Sequence, residues 1–152
     1  MANENADSRS NGTPIFINEV AIDRIQAAFE TQNQGPLIYS GSLNQQNLYH
    51  QTRIVASKPH CLLSHVRRVF LSIHCKNRAA VIGAFMDLFL ILRGRGGDLF
   101  ERLLKLASTI LGSRLKDGLG RAFQGDDMQQ MMRLPLDYSV LVNGRGGSIF
   151  QL

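Results

Sequence analysis

The chain contains no tryptophan, only two cysteines and only four prolines in 152 residues. Two cysteines cannot build a disulfide framework, so the fold must stand on its hydrophobic core, as in a reducing, cytoplasmic-type compartment. No secretory signal is expected, because Met1 to Asn11 is polar throughout. The longest hydrophobic stretch, Ala79 to Leu92, is apolar except for Gly83 and Asp87 and falls short of the roughly 20 residues that a bilayer span requires. Acidic residues are the minority: 17 Lys/Arg face 12 Asp/Glu, giving a net charge of +5 and a pI near 9.7. With 44% hydrophobic and 19% charged residues, the chain is neither a disordered acidic tail nor a low-complexity segment. Its length supports a single domain with a core of its own.

Where the charge sits says more than its sum. Between Arg53 and Lys116 twelve Lys/Arg stand against Asp87, Asp98 and Glu101, a net of +9, and the rest of the chain carries −4. A basic middle between acidic flanks suits anion binding or head-to-tail assembly. The plain alternative is that these side chains solvate helix surfaces.

The hydrophobic pattern predicts an α+β fold that is mostly helical: a central three-helix antiparallel core with a few flanking strands. Residues 1–14 read as a disordered polar tail, and 15–152 as one compact domain with a basic helical core at 57–116. A first helix is expected over Glu19 to Glu30, with Asn18 as its cap and Ile22, Ile25 and Phe29 on one face. Short strands are expected at Leu37 to Ser40, at Leu48 to Val55 and at Leu136 to Val142. Ser57-Lys58-Pro59 reads as the start of a helix whose core stripe is Leu62, Leu63, Val66, Val69, Phe70 and Ile73. Ser64, Arg67, Arg68 and Ser72 fall on its other side. Lys76-Asn77 breaks that helix, and Arg78 to Leu92 reads as the central helix, buried on most sides. A third helix is expected from Asp98 to about Lys116. Gly118, Gly120 and Gly125 then mark loop, followed by a helical turn or two at Met128 to Arg133 that Pro135 stops. Gly94-Arg95-Gly96-Gly97-Asp98-Leu99-Phe100 is echoed by Gly144-Arg145-Gly146-Gly147-Ser148-Ile149-Phe150, but two copies do not make a repeat architecture.

No motif specifies a reaction, and no cofactor is expected. His60-Cys61, His65 and His74-Cys75 invite a zinc reading, with Cys61 and His65 at the i,i+4 spacing of a shared helix face. One helix would nevertheless hold His65 and Cys75 about 15 Å apart, beyond a common coordination sphere. As a nucleophile Cys75, beside His74 and near a helix end, is the better candidate, but adjacent helix residues point about 100° apart and it has no activating partner. Asp126-Asp127 reads as a turn or a cap, and Gly94 to Gly97 lacks the Lys-Ser/Thr of a phosphate loop. What remains is basic: Arg67, Arg68, Lys76, Arg78, Arg93 and Arg95, on one helix face and at helix ends, are the candidate binding residues for nucleic acid or an anionic surface. Phe70, Phe85, Phe89 and Phe100 fall on expected core faces, so contacts to phosphates rather than to bases are anticipated.

The run Leu63-Ser64-His65-Val66-Arg67-Arg68-Val69-Phe70 through Asn77-Arg78, followed by the apolar Ala79 to Leu92 helix and preceded by a polar tail, resembles the central segment of rhabdovirus-type matrix proteins, over about residues 60–95. The resemblance implies a structural protein that self-associates, condenses a ribonucleoprotein and adheres to the inner face of a membrane. The tail carries no Pro-Pro-x-Tyr or Pro-Thr/Ser-Ala-Pro motif, and the resemblance assigns a role to no individual residue. The expectation is therefore a non-enzymatic, homo-oligomeric basic protein with RNA, a ribonucleoprotein or an anionic membrane surface as partner, placed in the cytoplasm, a virion or at a membrane periphery. The alternative is a sequence-tolerant RNA-binding regulator or silencing suppressor acting as a dimer. A small zinc or thiol-dependent protein is the third reading.

Overall fold

The computed structural model describes residues 19–30 and 45–143. These form α1 (Glu19–Glu30), α2 (Gln45–Ser57), α3 (Leu62–His74), α4 (Arg78–Leu92), α5 (Gly97–Leu106), α6 (Ser108–Leu111), α7 (Ser113–Gln124), α8 (Met128–Met131) and α9 (Val140–Asn143). No strand occurs among the described residues, so the α+β expectation is corrected to all-α. The tail at 1–14, the strand expected at Leu37 to Ser40 and the second copy of the glycine motif lie outside the described residues.

The strand expected at Leu48 to Val55 is instead the body of α2. Its β-branched residues invite a strand, but Leu48, Gln51, Thr52 and Val55 recur at i, i+3, i+4 and i+7, and all four are buried. Thr52 donates its hydroxyl to the Leu48 carbonyl at 2.7 Å, so burial leaves that donor satisfied. Gln51 Nε2 donates to the Ser64 carbonyl at 3.0 Å and ties α2 to α3. Pro59 lies in the link between them, and α3 begins at Leu62 with Cys61 as its cap, three residues beyond Pro59.

The α3–α4 hairpin is the centre of the molecule. Asn77 caps α4 by accepting from the Ala80 amide at 3.0 Å, and Arg93 ends it in the left-handed conformation. From Ala80 to Leu92 every residue of α4 is buried except the half-buried Leu90. That agrees with the central helix, buried on most sides, expected from its sequence, and places Asp87 in the interior with its apolar neighbours.

The third helix of the expected trio is cut into three. Gly96, with φ +68°, caps α5, whose first residue is Gly97 and not the expected Asp98, and Gly112, with φ +82°, separates α6 from α7. Helix α7 runs straight through Gly118 and Gly120, which read as loop in the sequence. Leu115, Leu119, Ala122 and Phe123, at i, i+4, i+7 and i+8, give it a core face that outweighs two poor helix formers. Phe100 stacks on Phe123 with ring centroids 4.1 Å apart and meets Phe85 edge-on at 5.3 Å, joining α4, α5 and α7. The strand expected at Leu136 to Val142 is a turn, closed by the Ser139 amide on the Leu136 carbonyl at 3.0 Å, followed by the single turn of α9.

Candidate anion-binding site

The six basic residues singled out in the sequence do not share a surface. Arg68 is 1% exposed and its guanidinium is bonded to Asp87, itself fully buried in α4. A helical wheel places Arg68 opposite the core stripe of α3. The missing information is that α2 and the turn before α9 cover that side too, so Ser64, Arg68 and Ser72 are all interior. Arg67 is half-buried. Lys76 and Arg78 stand at the N-terminal end of α4, and Arg93 and Arg95 at its C-terminal end, about 22 Å away for a helix of 15 residues. Lys76 and Arg93, both with positive φ, follow the ends of α3 and α4, where a cation offsets the helix dipole. Arg95 lies 3.9 Å from Glu19.

Arg68 anchors a polar centre with a structural task. Its Nη1 donates to Asp87 and its Nη2 to the Tyr138 carbonyl. Asp87 also accepts from the Ser139 hydroxyl and from the amides of Val140 at 2.9 Å and Leu141 at 3.1 Å, thereby capping α9. Burial lowers the pKa of Arg68, while the charge and hydrogen bond of Asp87 pull it back up.

His65 lies beside this centre, 1% exposed. Its Nε2 donates to the Pro59 carbonyl at 2.7 Å, which leaves a buried Nδ1 lone pair with no partner among the described residues. Burial holds its pKa at about 4, against the pull of the Pro59 carbonyl and Asp87, and with a further push from Arg68. A histidine of the unfolded chain titrates near 6.5, so the unfolded state takes up this proton first. Stability is therefore full above about pH 6.5 and falls by a few kcal/mol as the pH drops toward 4. Urea titrations at pH 7, 5.5 and 4.5 should show that loss. His65→Gln, which keeps a donor for Pro59 but cannot ionise, should flatten it.

The metal and thiol readings gain no geometry. Cys61 caps α3, and His65 on the same face is committed to Pro59. Among the described residues no three His, Cys, Asp or Glu side chains converge. Burial alone would raise the Cys61 pKa, but hydrogen bonds from Ser64 and Leu63 and the charge of Arg67 bring it below the usual thiol value; burial pushes Cys75 up.

A different cluster emerges between the N-terminal end of α4 and α7. Arg78, Arg114 and Arg121 line a half-open cavity of about 700 Å³, together with Ser113 and Gln130. The arginines are exposed, whereas Leu111, Leu119, Ala122 and Met131 beneath them are buried, so the cavity has a cationic mouth and an aliphatic floor. On α7 the positions 114, 118 and 121 are i, i+4 and i+7. Gly118 thus leaves a gap between two arginines on one face, and Gln130 of α8 donates to its carbonyl at 3.3 Å. Among the described residues none of the three guanidinium groups is paired with a carboxylate. Among the described residues no carboxylate, imidazole or thiol lines the cavity, and those that do offer a ligand positive charge and apolar contact. Arg78 is the first residue of α4 and Arg114 the second of α7, and neither helix has an acid in its first turn. Cations there oppose the helix dipole, at a cost of a few tenths of a kcal/mol each. Such breaches of local rules concentrate at functional sites.

Compared with protein-family models, with curated proteins and with solved structures, the chain matches none. No helix among the described residues is long and apolar enough to cross a membrane.

Proposed function

We propose that this is a non-enzymatic structural protein that self-associates and engages a phosphate-bearing partner, a ribonucleoprotein or an anionic membrane face, through the end of the molecule that carries Arg78, Arg114 and Arg121. The observation that carries this reading is the gathering of Arg78, Arg114 and Arg121 around one cavity, with no carboxylate paired to them among the described residues and two of them at helix N-termini, where a cation opposes the helix dipole. Forked cationic donors grouped in this way suit phosphate. Lys76, two residues before Arg78, extends the same end. Exposed Met128 and Met132, at i and i+4 beside the cavity, supply an apolar contact for a second copy. The matrix-like resemblance of the α3–α4 region leads to the same class of role.

The test is binding of a short single-stranded RNA as a function of salt, beside flotation with phosphatidylserine vesicles. Arg78→Glu/Arg114→Glu/Arg121→Glu should weaken binding and lower the slope of log K against log salt by about 2 for single-stranded RNA. Arg93→Glu/Arg95→Glu, at the other end of α4, should leave the slope unchanged. The reverse pattern would move the site to that end. Light scattering should show growth into larger species at low salt that high salt reverses, even without RNA.

A further inference from the structure

We infer that the cavity at Arg78, Arg114 and Arg121 binds a single-chain anionic amphiphile, its phosphate or carboxylate head on the guanidinium groups and its aliphatic chain on the leucine floor. The inference rests on the reading of this end as an anion site and specifies the ligand. The head is set by charge complementarity: three arginines around one opening, with no carboxylate partner among the described residues and forked donors that match a phosphate or carboxylate. The body is set by the lining. Leu111, Leu115, Leu119, Met131 and Leu134 form it, and no aromatic ring does among the described residues. A nucleobase would want a ring to stack on, and a polymer's phosphates would use the mouth and leave the floor empty. An alkyl chain needs only apolar surface. The volume of about 700 Å³ is that of small-molecule sites, which run roughly 300–1,000 Å³. Access is set by Gly118: Arg114 and Arg121 are about 10 Å apart along α7, and the glycine between them keeps the mouth open.

The head chemistry is common to a free alkyl phosphate and to the headgroup of a bilayer lipid, so the experiment carries both. Calorimetric titration with inorganic phosphate and with hexyl, octyl and decyl phosphate, all below their micelle concentrations, measures the contribution of the chain. Inorganic phosphate should bind weakly, and each added methylene should tighten binding about two- to fourfold, as burial of a CH₂ group does. Gly118→Leu should weaken decyl phosphate at least tenfold. That variant is expected to fold, because leucine is the better helix former and a Cβ at 118 meets nothing closer than Gln130 Nε2 at 3.7 Å. Competition by decyl phosphate against phosphatidylserine vesicles identifies the bilayer as a source of the ligand; binding without competition identifies the free amphiphile. Affinity indifferent to chain length, or to Gly118→Leu, overturns the inference. If the triple arginine variant still loses RNA or vesicle binding in that case, the anion-binding role stands and only the amphiphile site falls. If the arginine variant alters neither, both fall together.

Discussion

Asp87→Ala is expected to lower the stability of the protein by about 3–5 kcal/mol, the range for breaking a buried ion pair from one side. Against a total of roughly 5–15 kcal/mol for a domain, that loss separates a folded protein from a marginal one. Asp87 accepts from Arg68, Ser139, Val140 and Leu141, and alanine takes the acceptor from all four. A guanidinium that is 1% exposed is left facing the Tyr138 carbonyl alone, and α9 loses the carboxylate at its N-terminus. Urea unfolding followed by circular dichroism measures the effect, and Asp87→Asn supplies a milder version should the alanine variant fail to fold. The companion variant Arg68→Met/Asp87→Leu separates two accounts. A buried pair that serves only itself can often be exchanged for apolar residues at no loss. Here the exchange removes the Asp87 carboxylate that accepts from the Ser139 hydroxyl and from the Val140 and Leu141 amides, so the double variant should recover only part of the stability. Full recovery would mean that the pair does not hold α9 in place.

That polar centre also shows how far the sequence could be read. The limits of α1 and α4 fall where the sequence puts them, at Glu19–Glu30 and Arg78–Leu92, because each carries its own signal: an amphipathic face in the first, and in the second the break at Lys76-Asn77 followed by a run that is apolar but for Gly83 and Asp87. Local patterns failed where a neighbour decides. Thr52, Ile54 and Val55 favour a strand until Leu48, Gln51 and Val55 find α3 to pack on, and tertiary contact overrides their propensity. Arg68 belongs to the polar side of α3 when that helix is considered alone, and no wheel of one helix reveals the helices that cover it. The site was hidden for a related reason. Gly118 and Gly120 suggested loop, and in a loop Arg114 and Arg121 have no common face. Once α7 is helical, their seven-residue spacing aligns them across Gly118, beside an Arg78 that pattern had already singled out.

Gly83→Ala is the sharper test of the same centre, because local and tertiary rules predict opposite signs for it. In the interior of α4, alanine should be worth about 1 kcal/mol more than glycine by helix propensity. At this position a Cβ would lie 2.5 Å from the Tyr138 carbonyl carbon, 2.7 Å from its oxygen and 2.8 Å from the Ser139 nitrogen. These are backbone atoms with little freedom to yield: Arg68 holds the Tyr138 carbonyl, and Asp87 holds the Ser139 hydroxyl and the Val140 amide. The methyl group must push the 138–139 segment off α4 or shift a helix packed on all sides. Overpacking usually costs about 1–3 kcal/mol, and contacts this short with backbone should put it above the propensity gain of about 1 kcal/mol, so a net loss is expected. Gly83→Ala and Asp87→Ala both release the same segment, so the double variant should lose less than the two single losses added together. Amide exchange supplies the local readout, with Val140 and Leu141 losing protection in either variant before the rest of α4 does. A Gly83→Ala protein as stable as the parent would place the 138–139 segment away from α4 in solution. The coupling between Gly83 and Asp87 would then vanish, and the four hydrogen bonds to Asp87 could not all be formed.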